Sequence, residues 1–340
     1  MRLKLVPNET TINFFGKSNV FFGVSIFAVI LSFITYIILG LNFGIDFKGG
    51  TSIRSESKVE IEIAKYREAL SSLNLGDVAI SEVFDPTFEA DQNVALLRIE
   101  AQDGQEAVAS EIIEIILSTL KANVSDDIKF QAVESVGPKV SGELIKKAVM
   151  AILLAIGAVL FYIWLRFEWQ FALGAVSALI HDIVLTIGIF SVLQIKFDLA
   201  IIAALLTIVG YSLNDTVVIF DRVRENLRKY KKRPLIDVMN LSINDTLSRT
   251  IMTSLTTLLA LIALFTLGGD VIRGFVFAMI WGVVVGTYSS VFVASNILLL
   301  LGVKRDWSKP NAEAGTSVPQ PCYQTFMSRY LNYMDFYMSL

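Results

Sequence analysis

Long apolar runs dominate the chain, separated by short polar interruptions. An apolar run of about 20 residues is long enough to cross a bilayer as a helix. Six such runs stand out, at residues 20–41, 143–165, 171–193, 199–221, 249–267 and 274–303. The first is too long for a signal-peptide core, and no Ala-x-Ala site follows it, so it reads as an uncleaved anchor. The last exceeds a perpendicular crossing and predicts a tilted helix.

The stretch between the first two runs, residues 42–142, has a different pattern. Residues 51–55 are short and extended. Residues 60–73 carry Ile61, Ala64, Leu70 and Leu73 at helical spacing. Residues 78–84 and 94–99 alternate or run apolar as strands do. Residues 105–120 are helical again, with Val108, Ile112, Ile115 and Ile116 on one side, and residues 128–136 close as a strand. The order β-α-β-β-α-β predicts a ferredoxin-like α+β domain. Glycines mark both junctions, in Phe43-Gly44-Ile45-Asp46-Phe47-Lys48-Gly49-Gly50 and in Val136-Gly137-Pro138. They fit tight turns at a domain boundary, or a hinge.

Charge orients the spans. Lysine and arginine collect in cytoplasmic loops. Residues 222–233 (RVRENLRKYKKR) are densely basic, and Arg2, Lys4, Lys17, Arg166, Lys304, Arg305 and Lys309 fall at the same predicted side. The opposite loops hold only Lys196 and Arg273. Both termini (residues 1–19 and 304–340) and the basic loop 222–248 are therefore expected in the cytoplasm, and the α+β domain outside it. The polar-then-aromatic tail reads as weakly ordered.

Composition narrows the chemistry. The chain is 54% hydrophobic, and its mean hydropathy is +0.60, as expected for a membrane protein. A net charge of −3 gives no electrostatic footprint for nucleic acid. Cys322 is the single cysteine and His181 the single histidine, so neither a disulfide framework nor a multi-histidine metal site is available. No phosphate-binding Gly-x-x-x-x-Gly-Lys-Ser/Thr motif occurs, and no cofactor is expected.

Ionisable side chains inside an apolar span are expensive, at about 2.5–3.5 kcal/mol for Asp or Arg near the centre, and they mark pathways. Asp215, with Asn214 beside it and Ser212 at i−3, lies inside the fourth span. A helix–helix hydrogen bond would explain a polar group there, but Asn214 or Ser212 could make it without a charge. A carboxylate can instead take up a proton: desolvation favours its neutral form and a nearby cation its charged form. Arg249 opens the fifth span, with Thr253, Thr256 and Thr257 following on one side. It could snorkel to the interface, or reach Asp215, since span four ends where span five begins. His181 and Asp182 lie about ten residues into span three, near the midplane, as a packing pair or a second protonatable station. Ala278, Gly282, Gly286, Ser290 and Ala294 form a small-residue stripe on span six, a close-packing face inside the bundle or against a partner. Trp281 and Tyr288 read as bulk.

Several of these segments resemble the SecD/SecF family of the resistance-nodulation-division superfamily. They are the residues from Phe43 to Thr51, Val136-Gly137-Pro138, His181-Asp182, Tyr211-Ser212-Leu213-Asn214-Asp215-Thr216 with Phe220-Asp221-Arg222, Ser248-Arg249-Thr250, and Thr253-Ser254-Leu255-Thr256-Thr257. The match extends over residues 14–308 and is nearest the SecF branch. It implies a six-span inner-membrane protein with one periplasmic α+β domain. It implies pairing with SecD and association with SecYEG, SecA and YajC, and proton-driven help to unfolded preproteins late in translocation, without enzymatic chemistry of its own. By the same resemblance Asp215 and Arg249 are proton-pathway residues. Asp182 and His181 are added from their place near the midplane of span three, with Ser212, Asn214, Thr253 and Thr257 as supporting polar groups. Three rivals remain. A small-molecule or lipid exporter of the superfamily would normally have twelve spans and two exported loops. A passive scaffold would tolerate a neutral residue at 215. An intramembrane aspartyl protease using Asp182 and Asp215 would need a Gly-x-Gly-Asp motif, which is absent.

Overall fold

The structure, a computed structural model, describes residues 10–73, 75–76, 78–85, 88–89, 91–100 and 108–303. The tail after residue 303, the charges at residues 2 and 4, and the expected helix start at residues 105–107 lie outside the described residues. In chain order the elements are α1 (Ser18–Leu39), α2 (Ile45–Lys48), β1 (Gly50–Ser57), α3 (Ile63–Ser71), β2 (Val78–Val83), β3 (Asn93–Glu100), α4 (Ser110–Asn123), β4 (Lys129–Val136), α5 (Pro138–Arg166), α6 (Trp169–Leu193), α7 (Leu199–Lys229), α8 (Leu235–Leu267), α9 (Gly269–Ser289) and α10 (Ser295–Leu301).

The strands form one antiparallel sheet in the order β2-β3-β1-β4. With α3 and α4 this is the ferredoxin-like βαββαβ arrangement. Period-two alternation sends Ile53, Ile80, Leu97 and Ile99 to the helix side, where they bury with Tyr66, Leu70, Ile116 and Leu120. The other face is polar: Ser52 is paired with Arg98 on one side and Glu134 on the other.

Among the described residues six helices are long and apolar enough to cross a membrane, and the chain is a multi-pass membrane protein. The inner three are α6, α7 and α9; α1 and α5 pack on α6, and α8 covers α7 and α9. Their outer faces stay apolar and exposed, as at Phe27, Ile38, Leu154 and Leu259.

One expectation needs correction. Most of the basic loop expected at 222–248 is helix: α7 continues to Lys229, and α8 begins at Leu235 behind Pro234. The charges disguised an amphipathic pair, in which Val223, Leu227, Val238, Met239 and Ile243 are buried between the two extensions. Arg222 to Asp245 (2.8 Å) and Asn226 to Ser242 (3.0 Å) hold them together. The last span runs continuously over Val271–Leu301, through a π-helical turn, Ser290–Ala294, between α9 and α10, and such turns often accompany functional sites.

The glycine-rich junction after α1 is docked rather than free. Phe43 and Phe197 form a parallel β-bridge, with Gly44 N–H donating to Phe197 O (2.8 Å) and Phe197 N–H donating to Asn42 O (2.7 Å). A Cβ on Gly44 would stand 2.9 Å from Lys196 Cε and 3.3 Å from Asp198 Cβ, so the approach is close and a side chain there would displace the lysine. Gly49 and Gly50 have φ of 78° and 132°, which disfavours any side chain. Asp46 completes the junction by accepting from Leu199 N–H (3.0 Å) at the start of α7, while the N-cap Asp198 accepts from Ile201 N–H (3.3 Å). Two carboxylates thus satisfy donors that a helix N-terminus leaves unpaired.

Candidate functional site

The small-residue stripe lets α7 and α9 approach closely. Ala278, Ser290 and Ala294 are fully buried. A Cβ on Gly282 would lie 2.3 Å from Ile208, and one on Gly286 3.1 Å from Ser212. The stripe therefore packs inside this chain's own bundle.

Polar side chains concentrate at that contact. Asp182 on α6 is 1% exposed. Its Oδ2 accepts from Ser212 on α7 (2.7 Å) and from Ser289 on α9 (2.9 Å), and its Oδ1 lies 3.0 Å from His181 Nδ1. One carboxylate thus joins the three inner helices. One turn along, Thr216 and Ser290 hydroxyls meet at 2.9 Å. His181 lies beside the Tyr288 ring, with its Nε2 buried and without a hydrogen-bond partner. Tyr288 donates to Phe21 O (2.8 Å) and meets Ser25 Oγ at 2.9 Å, which ties the cluster to α1.

Asp215 lies one turn from Ser212 but is not part of this network. It is 3% exposed, and its Oδ2 is buried with no hydrogen-bond partner. Arg249 is close enough to act on it electrostatically. The two make no direct ion pair among the described residues, however, and Arg249 is an exposed side chain beside a cavity of ≈ 490 Å³ shared with Asp221, Arg222, Glu225 and Asp245. The reach expected of Arg249 is thus not completed. Two carboxylates of the same cavity, Asp245 (2.8 Å) and Glu225 (2.7 Å), already serve Arg222.

The supporting residues divide. Ser212 is at the centre, but it bonds Asp182 rather than Asp215. Thr253 and Thr257 return their hydroxyls to their own helix, to Arg249 O (3.1 Å) and Thr253 O (2.9 Å). Ser254, one position on, makes the cross-helix bond instead, to Thr287 (2.7 Å). Asn214 is exposed on the outside of α7, in a stripe with Ala203, Thr207 and Gly210. Sequence reasoning missed Ser289, took Ser290 only as part of the packing stripe and Thr216 only as part of a motif, and treated Tyr288 as bulk. The available signal was a run of hydroxyls, Thr287 to Ser290, in an otherwise apolar span.

Comparison with known proteins agrees with this architecture. The family described as "Protein export membrane protein SecD/SecF, C-terminal" matches residues 116–304, and the "SecD/SecF GG Motif" matches residues 37–54, the docked junction. A protein translocase subunit SecF of Cereibacter sphaeroides is 59% identical over 315 residues, covering 93% of this chain and 97% of its own. One from Vibrio alginolyticus is 42% identical, covering 90% and 95%. A crystal structure of SecDF, a translocon-associated membrane protein from Thermus thermophilus, matches with a TM-score of 0.76 at 34% identity, over 87% of this chain. This chain spans 39% of that longer one. With one family description matching more than half its length and a relative this similar end to end, the chain belongs to the SecD/SecF family of protein-export membrane proteins.

Proposed function

We propose that the chain is a SecF-type subunit of the Sec export machinery in a bacterial inner membrane, with both termini cytoplasmic and the α+β domain periplasmic. In this reading it pairs with SecD, works beside SecYEG, SecA and YajC, and uses the proton gradient to assist preproteins late in translocation. The observation that carries the proton role is Asp215, a buried carboxylate whose Oδ2 has no hydrogen-bond partner, next to an arginine it does not touch. A carboxylate in that position is sensitive to small movements of α8. When Arg249 comes nearer, the charged form is favoured; when it withdraws from a dry site, the protonated form is favoured. Proton occupancy and helix position then bias each other.

Energetics limit what one site can do. A charge crossing about 100 mV gives about 2.3 kcal/mol, whereas inverting a population from 1:99 to 99:1 takes about 5.5 kcal/mol. Asp215 alone biases the equilibrium, so a second group, either Asp182 with His181 or a carboxylate of the partner, is needed to complete it. Pairing is supported by the exposed stripe Ala203, Thr207, Gly210 and Asn214 on α7. Small and polar residues on the outside of a membrane helix are suited to another helix, not to lipid. The test is export into membrane vesicles with and without a proton gradient. Asp215→Asn is expected to lose the gradient-stimulated part while protein level and partner association stay normal. Undiminished stimulation in Asp215→Asn would favour the scaffold reading.

A further inference from the structure

A second charged region lies outside this site. Where α5 ends and α7 leaves the apolar layer, a cleft of ≈ 610 Å³ is lined by Arg166, Asp221, Arg224, Glu225, Arg228 and Lys229. We propose that it binds the phosphate of an anionic phospholipid headgroup.

Cations outnumber carboxylates in the lining of the cleft. Asp221 is engaged by Arg166 (3.4 Å), and Glu225 by Arg222 (2.7 Å). Arg224 is half-buried and forms no ion pair among the described residues. Its Nη1 donates only to Arg166 O (3.4 Å), and its guanidinium stands 5.9 Å from the Phe167 ring, which Arg166 also approaches, at 5.0 Å. Two guanidinium groups are thus gathered around one ring, although like charges repel. Arg228 and Arg166 crowd this half-buried cation, against the weaker pull of Asp221 and Glu168, neither of which pairs with it directly; a phosphate would offer acceptor oxygens in a geometry that arginine matches with two hydrogen bonds.

The surroundings favour a lipid over a free anion. Tyr162, Trp164 and Trp169 are exposed at the same end of α5 and α6, and aromatic residues of this kind mark the headgroup level. Directly below, Leu154, Phe161 and Leu165 form an exposed apolar face on α5 along which acyl chains can lie. Basic pockets between helices at this depth suit anionic headgroups.

The test uses the full chain in phosphatidylcholine nanodiscs containing a minority of phosphatidylglycerol. Lipid retained after a detergent wash is counted by mass spectrometry. Wild type is expected to retain phosphatidylglycerol preferentially. Arg224→Gln and Lys229→Gln should each weaken retention about fivefold, the usual effect of one interfacial cation. Arg233→Gln, a control over the Tyr230 ring and outside the cleft, should retain as wild type does. If Arg224→Gln does not fold, Lys229→Gln, on an exposed side chain, carries the same comparison. Unchanged retention in the cleft variants overturns the proposal. So does inorganic phosphate that binds wild type equally well in pure phosphatidylcholine and displaces the retained lipid, since the site would then be one for a free anion.

Discussion

Gly282 and Gly210 are both glycines within membrane helices, and their substitution should have opposite outcomes. A Cβ at 282 would stand 2.3 Å from Ile208 Cγ1 and 2.4 Å from its Cδ1, whereas one at 210 meets nothing within 4 Å. Carbon atoms rest about 3.5–4.0 Å apart. An alanine at 282 must therefore separate α7 from α9 or push Ile208 off its rotamer. Ile208 is 1% exposed, and a β-branched side chain is stiff at χ1, so retreat is difficult. Overpacking of this kind costs about 1–3 kcal/mol, and the helix preference of alanine over glycine returns about 1 kcal/mol. Gly282→Ala should lose up to about 2 kcal/mol, while Gly210→Ala should be neutral or gain up to about 1 kcal/mol. The assay is thermal unfolding of the full chain in one detergent, followed by circular dichroism. Equal midpoints for the two variants, or a lower one for Gly210→Ala, would refute the close α7–α9 packing on which the polar cluster depends. Partner capture separates the two sites further: Gly210→Leu should keep the wild-type midpoint yet lose association with the partner subunit.

Ser212→Ala removes one of the hydroxyl donors to Asp182 and should destabilise the chain by about 1–3 kcal/mol; Asn214→Ala, at an exposed position, should leave the unfolding midpoint unchanged. Residues 49–137 expressed alone should give a dispersed amide spectrum, because their core is closed without the membrane helices; a collapsed spectrum would show that the domain needs the bundle. The α6–α7 turn should respond to pH. Burial pushes Asp198 above the usual carboxylate range, against the opposing pull of Lys196, and burial, with Arg98 nearby, lowers Lys196. A raised folded value means the folded form holds its proton more tightly, so the contribution of Asp198 is present in acid and lost as pH rises through that value. The lowered Lys196 contributes in strong alkali and loses this as pH falls through its own folded value. Hydrogen-exchange protection at Gly44 and Phe197, normalised for intrinsic rate, should rise below neutrality, and Asp198→Asn, which keeps the helix cap, should flatten that rise.

Much of this protein is legible in the residue pattern. Six apolar runs are recognisable because a bilayer demands length and continuity, both local properties. The ferredoxin-like order is recognisable because strand and helix periods differ, and Ile53, Leu97 and Ile116 fall on the correct period. Asp215 and Asp182 could be singled out because a carboxylate in an apolar span is conspicuous whatever surrounds it. The helical extensions at 222–229 and 235–248 escaped notice, because their dense charges masked a buried stripe that only the pairing of α7 with α8 reveals. Partners were also not legible. Ser212 is only three residues before Asp215 yet bonds Asp182, since helix rotation decides which hydroxyl meets which carboxylate across an interface. Arg249 and Asp215 come to similar depth from separate helices, but whether they touch depends on side-chain direction. Tyr288 and Ser289 look alike in importance to any neighbour in sequence; what distinguishes them is that α9 turns them toward α1 and α6. Local energetics choose the elements and the expensive residues, and packing between distant segments decides what those residues hold.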